Sequence, residues 1–193
     1  ESYMFNTFPK IRPSLPKEME EIYIDHYKSN REGQTTASFF SKKMESWMHK
    51  KVAQDCNKKQ HQNKSTLELG AGTLNQLDYE YVNGSYDIVE PFDALYKNVT
   101  HLEKIRNIYS NISEVPSGYL YDRITSVATL EHICNLPEVI ARSGLLLEDK
   151  GVLLASIPSE GTLLWTLGWK LTTGIEFKMK YGLDYEILMK YEH

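Results

Sequence analysis

"STLELGAGTLNQLDYEYVNGSYDIVEPF", residues 65–92, places a glycine-containing turn between two short apolar runs, with a glutamate in or at the end of each. Gly70 and Gly72 let a backbone pass close to a ligand, and N–H groups at the start of a following helix can meet a carboxylate or a phosphate. A dinucleotide site calls for G-x-G-x-x-G, but Asn75 stands where the third glycine belongs, which weakens a nicotinamide reading.

The acidic residues point elsewhere. A carboxylate at the position of Glu68 repels a pyrophosphate but can hold an ammonium, directly or through water. Glu90, 22 positions further on, closes the next apolar run, where a carboxylate can accept both hydroxyls of a ribose. A holder for an ammonium and a holder for a ribose together describe an amino-acid nucleoside, and S-adenosylmethionine is that ligand.

The second run of this stretch, "YDIVEP" (86–91), and two further compact apolar runs outward from it, "YLYDRITSVAT" (119–129) and "KGVLLASIPS" (150–159), are bounded by turn residues and read as strands. Between the last two, "LEHICNLPEVIARSGLLLE" suits a helix with Leu136, Val139, Ile140 and Leu145 to Leu147 toward a sheet and Pro137 near its first turn. The order predicts an α/β domain whose parallel strands are covered on both faces. Upstream, prolines 9, 13 and 16 lead into a short helix from about 17 to 29, and Phe40, Met44, Trp47, Met48 and Val52 draw one stripe on a second helix over 36–55. The tail, rich in Trp, Leu, Tyr and Lys, reads as one or two helices forming a cover; Leu163 to Leu171 alternatively suit a membrane surface through Trp165, Trp169 and Lys170. The expected organisation is an N-terminal arm and helix (1–60), an α/β core (61–160) and a C-terminal cover or substrate segment (161–193).

Composition narrows the function. Forty-one per cent apolar and 25% charged residues describe a globular chain, and a formal charge of -4 provides no global field that would draw it to nucleic acid. The Lys/Arg clusters at 42–43, 50–51 and 58–59 read as a solvated face. Two cysteines in unlike contexts, Cys56 and Cys134, argue against a disulfide framework and for the cytoplasm. No apolar run reaches the roughly 18 residues that a membrane span needs, and the histidines and cysteines lack metal-ligand spacing.

Over roughly residues 60–160 the chain resembles the class I S-adenosylmethionine-dependent methyltransferases. "LELGAG" resembles the family's first motif and "IVEP" its second; "YDRITSVATLEHI" is similar to the fourth-strand segment, and "GLLLEDKGVLLASIPS" to the fifth strand with its preceding helix. The resemblance implies a doubly wound, mostly parallel Rossmann-like sheet with S-adenosylmethionine as cofactor, held by Glu68, Gly70, Ala71, Gly72, Glu90, Pro91, Val127 and Ala128. The chain departs from the pattern at Leu74, where relatives often have a further glycine, and at "YSNISEVP", where Asn111 rather than an acid has to meet the adenine amino group while Ile112 packs on the ring. It also stops before the antiparallel pair that usually closes such a sheet, so those strands are absent or the chain is a fragment.

Methyl transfer is an in-line displacement in which the protein chiefly aligns the acceptor and excludes water. If the acceptor is a hydroxyl, His132 is the expected base; otherwise it packs against the cofactor or caps a helix. In "HYKSNREG", Tyr27, Asn30 or Arg31 can touch the cofactor's carboxylate, and a surface arm explains the same letters equally well. The expected activity is methyl transfer to a small-molecule or glycan-type acceptor, with no nucleic-acid partner and no stable membrane insertion. A catalytically silent cofactor-binding scaffold and a nicotinamide-dependent oxidoreductase are the alternatives.

Overall fold

The computed structural model describes residues 7–32, 36–56, 63–81, 83–97, 99–158 and 170–192. The chain divides into two compact units, Glu1–Pro9 with Met48–Ile157 and Lys10–Trp47 with Pro158–His193.

The first unit is built on a parallel sheet of β1 (Thr66–Leu69), β2 (Tyr86–Val89), β3 (Ile105–Tyr109), β4 (Tyr121–Val127) and β5 (Leu147–Ser156), in the spatial order β3-β2-β1-β4-β5. β1 is central, and in register Glu68 lies opposite Ile88 of β2 and Thr125 of β4. All four β1 residues are buried, as expected of a strand covered on both faces. Alternation along β1 sends Leu67 and Leu69 to one face, where they join Ile112, Ile124, Leu130 and Leu146. α3 (Leu136–Leu145) covers that face through Leu136 and Val139, and it opens with Pro137 in its first turn as the sequence suggests. Ile140 and Leu145, expected in the core, are 39% and 73% exposed: the inward stripe runs Leu136, Val139, Ser143, Leu146, and both residues fall off it. On the opposite face Ala71, Leu74, Leu77, Tyr86 and Ile88 form a second core cluster.

β3 was not evident as a strand in the sequence, and the connections after β1, β2 and β3 contain short 3-10 turns. The last turn of α2 (Thr36–Val52) contributes Met48 and Val52 to the buried core of the first unit. Trp47, assigned to the same stripe, is 59% exposed, whereas Lys42, Lys43, Lys50 and Lys51 are solvated as expected.

In the second unit α1 (Lys17–Glu32) starts directly after Pro16, whose carbonyl accepts the Met19 N–H, and the described part of the tail forms α4 (Thr173–Tyr181) and α5 (Tyr185–Glu192). Gly182 takes φ +71° at the end of α4, where a side chain would be strained. His26 is buried among Phe177, Tyr181 and Tyr185, with ring centroids 5.0, 6.4 and 5.2 Å away. Residues 159–169, which include Trp165 and Trp169, lie outside the described residues. Among the described residues no helix is long and apolar enough to cross a membrane.

Candidate cofactor-binding site

Strand order reverses at β1: the chain runs outward through β2 and β3, then returns to β4 on the other side. Connections leaving β1 and β4 diverge there, and the crevice between the carboxyl ends of such strands is where ligands bind in open α/β sheets. The residues at those two ends are Gly70 to Leu74 and Ala128 to His132.

The turn after β1 is held in an uncommon backbone state. Gly70, Gly72 and Leu74 have φ of +71°, +53° and +61°, and Ala128 at the end of β4 has +49°. For Leu74 and Ala128 this left-handed state costs about 1–2 kcal/mol each, a cost the surrounding structure sustains at the crevice. Leu74 is fully buried in the second core cluster, so packing offsets its strain. Gly70 has a second reason to be glycine. A Cβ there would lie 2.3 Å from the Thr129 methyl, while the Gly70 N–H donates to the Val89 carbonyl at 2.8 Å.

Glu90 ties the turn to β2. Its Oε2 accepts the Gly72 N–H at 2.8 Å and its Oε1 the Phe92 N–H at 3.0 Å. A carboxylate offers about four acceptor positions, so acceptor capacity remains for two hydroxyls. Pro91 and Phe92 follow at the surface, Phe92 being 68% exposed.

Glu68 is 2% exposed, with Oε2 accepting the Tyr86 hydroxyl at 2.9 Å. Burial pushes its carboxyl up to about 8; Glu80 and Glu90 act in the same direction, against the Tyr86 hydrogen bond and Arg123. Below it, buried Arg123 holds Glu80 through two bonds of 2.7 and 2.8 Å and reaches Asp55 at 3.1 Å. Gln76, just past the turn, donates to Glu80 and meets His49 Nδ1 at 2.7 Å. A buried ionic network thus braces the segment that follows the glycines.

A cavity of about 320 Å³ lies elsewhere, lined by Ser65, Ser85, Arg106, Gly118, Tyr119, Leu120 and Glu148. These residues precede or open the strands, so it sits at the amino-end edge of the sheet, opposite the crevice.

No protein-family model and no curated protein sequence matches the chain. Solved structures do. DesVI of Streptomyces venezuelae superposes with a TM-score of 0.51 at 14% identity, covering 72% of this chain and 60% of that one. The plantazolicin methyltransferase BpumL, solved with a pentazolic desmethylPZN analogue and SAH, gives 0.51 at 13% identity, covering 72% of this chain and 55% of that one. The chain has the Rossmann-like methyltransferase fold. It spans less than two thirds of the length of either structure.

Within this methyltransferase fold, the crevice brings together most of the residues singled out in the sequence. Gly70, Ala71, Gly72, Glu90 and Ala128 lie at the carboxyl ends of β1, β2 and β4; Val127 is the last, buried residue of β4. Asn111 stands after β3, where its Oδ1 accepts the Ser113 N–H at 2.9 Å and caps a 3-10 turn, leaving one lone pair for a ligand amino group. Ile112 is 3% exposed in the first core cluster, packed against the sheet. His132 follows β4 in a 3-10 turn, its side chain 37% exposed, with Nε2 3.9 Å from Glu131 Oε1. Arg31 belongs to α1 in the second unit; its side chain, like those of Tyr27 and Asn30, lies outside the described residues. Among the described residues no cluster of His, Cys, Asp and Glu is arranged to hold a metal.

Tyr86, Thr129 and Phe92 also belong to the crevice or its support, and the sequence alone does not single them out. Only Phe92 left a local signal, an aromatic two residues after a strand-ending acid; the other two depend on cross-strand register.

Proposed function

We propose that the protein binds S-adenosylmethionine in the crevice formed by the 70–74 turn, Glu90 and the 128–132 segment and transfers its methyl group to a small-molecule or glycan-type acceptor. One observation carries the reading: Glu90, at the end of β2, is hydrogen-bonded to the left-handed glycine turn of β1 in a stretch, residues 65–92, that contains five Asp or Glu and no Lys, Arg or His. Two of these acids are paired in the fold, Glu80 with Arg123 and Asp87 with Arg106, whereas Glu68 and Glu90 at the strand ends suit an ammonium and ribose hydroxyls and disfavour a pyrophosphate.

The residues present fit the cofactor. Glu90 would take the ribose hydroxyls, Glu68 the ammonium, and Asn111 the adenine amino group, while the glycines at 70 and 72 admit the ligand close to the backbone. Bound, the cofactor supplies a methyl made electrophilic by its sulfonium charge. The chain's part is to align the acceptor and exclude water. For a hydroxyl acceptor, His132 would take the proton at a ring nitrogen. Two free cysteines favour the cytoplasm as the place of action.

Incubation with S-adenosylmethionine labelled in its methyl group and a small-molecule extract tests the activity. S-adenosylhomocysteine and a labelled small product are expected; tight binding without turnover would instead make the protein a scaffold.

A further inference from the structure

We propose that Tyr86 is a positioning residue for the cofactor's ammonium, acting through Glu68, and that its hydroxyl sets how cofactor affinity depends on pH. The proposal rests on the reading of Glu68 given above.

Side chains alternate along a strand, so Thr66 and Glu68 share one face of β1, and the pairing of Thr66 with Tyr86 places Tyr86 on that face diagonally from Glu68. Its hydroxyl donates to Glu68 Oε2 at 2.9 Å, and both residues are at most 2% exposed. The other charged groups around Glu68 come from three elements: Glu80 from the segment after the turn, Arg123 from β4 and Glu90 from the end of β2. Glu80 and Glu90 oppose its ionisation. Arg123 favours it, but Arg123 is already committed to Glu80 through two hydrogen bonds. Tyr86 therefore provides the direct hydrogen bond to this carboxyl among the described residues, and it leaves Oε1 for a ligand.

An ammonium partner needs Glu68 ionised. Burial holds the carboxyl at about 8, so near neutral pH a large share of it carries a proton that cofactor binding has to displace. A hydroxyl that donates to the charged form lessens that cost. Replacing Tyr86 by Phe keeps the ring in its core cluster and removes only the donor.

The test is calorimetric titration of S-adenosylhomocysteine into the wild-type chain, Tyr86→Phe and Glu68→Gln from about pH 6 to about pH 9. Ratios of Kd at each pH cancel the ligand's own titration. For Tyr86→Phe the ratio to wild type should be about tenfold near pH 6 and shrink toward about twofold near pH 9, the signature of a carboxyl whose ionisation moves up by about one unit. For Glu68→Gln the ratio should instead grow with pH, and this arm stands even if Tyr86→Phe does not fold. Equal ratios at every pH for either variant would overturn the positioning role, since a purely structural tyrosine alters affinity or melting temperature without reshaping the pH profile. A wild-type chain that binds no S-adenosylhomocysteine at any pH overturns the reading of the site, and the proposal with it.

Discussion

Glu90 accepts the Gly72 N–H at 2.8 Å, so the acid that closes β2 is joined directly to the turn that closes β1. With its other oxygen on the Phe92 N–H, Glu90 also fixes the start of the segment that follows β2. Glu90→Gln keeps one carbonyl oxygen and replaces the other with a donor that faces an N–H. Loss of a charge-assisted bond of about 2 kcal/mol corresponds to roughly thirtyfold weaker cofactor binding, read as Kd for S-adenosylhomocysteine. Urea unfolding should show a parallel loss of about 1–3 kcal/mol from the one N–H, of Gly72 or Phe92, that the amide nitrogen leaves unsatisfied.

Gly70→Ala should destabilise the first unit by at least about 2 kcal/mol, combining a left-handed φ with a clash against Thr129. Thr129→Ala removes the methyl and hydroxyl, two of the three atoms that the new Cβ would strike, so the double variant should regain part of the loss and keep the part due to backbone strain. Denaturant midpoints of the four proteins in this cycle measure both contributions.

The Arg123–Glu80 pair is fully buried at the level of its side chains. Arg123→Met leaves Glu80 charged and unpaired and should cost about 3–5 kcal/mol, whereas replacing both partners by apolar residues of similar volume should recover much of that. Because Glu80 also accepts from Gln76, the single variant should weaken cofactor binding through the turn, which separates it from a purely global loss when binding is measured below the melting temperature.

Glu68 gives the fold a pH dependence of definite sign. Its carboxyl is raised from 4.5 to about 8 by burial, so between those values the folded chain keeps a proton that the unfolded chain releases. Its contribution to stability is present below about pH 4.5 and falls as pH rises toward about 8, with a slope of at most about 1.4 kcal/mol per pH unit. Thermal melts of wild type and Glu68→Gln should differ least near pH 5 and diverge toward pH 8, with the variant the flatter of the two. Parallel profiles would show that Glu68 is ionised throughout.

Much of the fold was legible because β1, β2, β4 and β5 are apolar runs between turn residues, and α3 carries Pro137 at its start. β3 escaped because its exposure alternates: Arg106 and Ile108 face outward and Arg106 pairs with Asp87, so "IRNIY" offers no continuous apolar signal. Trp47 and Leu145 misled for the opposite reason, being apolar residues that lie outside the buried stripes. In the site, Gly70, Gly72 and Glu90 could be read because strand, turn and acid follow one another in sequence. The Tyr86–Glu68 and Gly70–Thr129 relationships could not, since each depends on how two strands register. Nor does a letter reveal that Leu74 adopts a left-handed backbone, a state that its buried packing sustains.

The most direct test of the central claim is equilibrium binding of the intact chain to S-adenosylhomocysteine and to NADH, followed side by side in the wild type and Glu90→Ala. Saturable one-to-one binding of S-adenosylhomocysteine, weakened by at least about tenfold in Glu90→Ala, is expected, with no response to NADH. Enhanced NADH fluorescence with no response to S-adenosylmethionine or S-adenosylhomocysteine would contradict it.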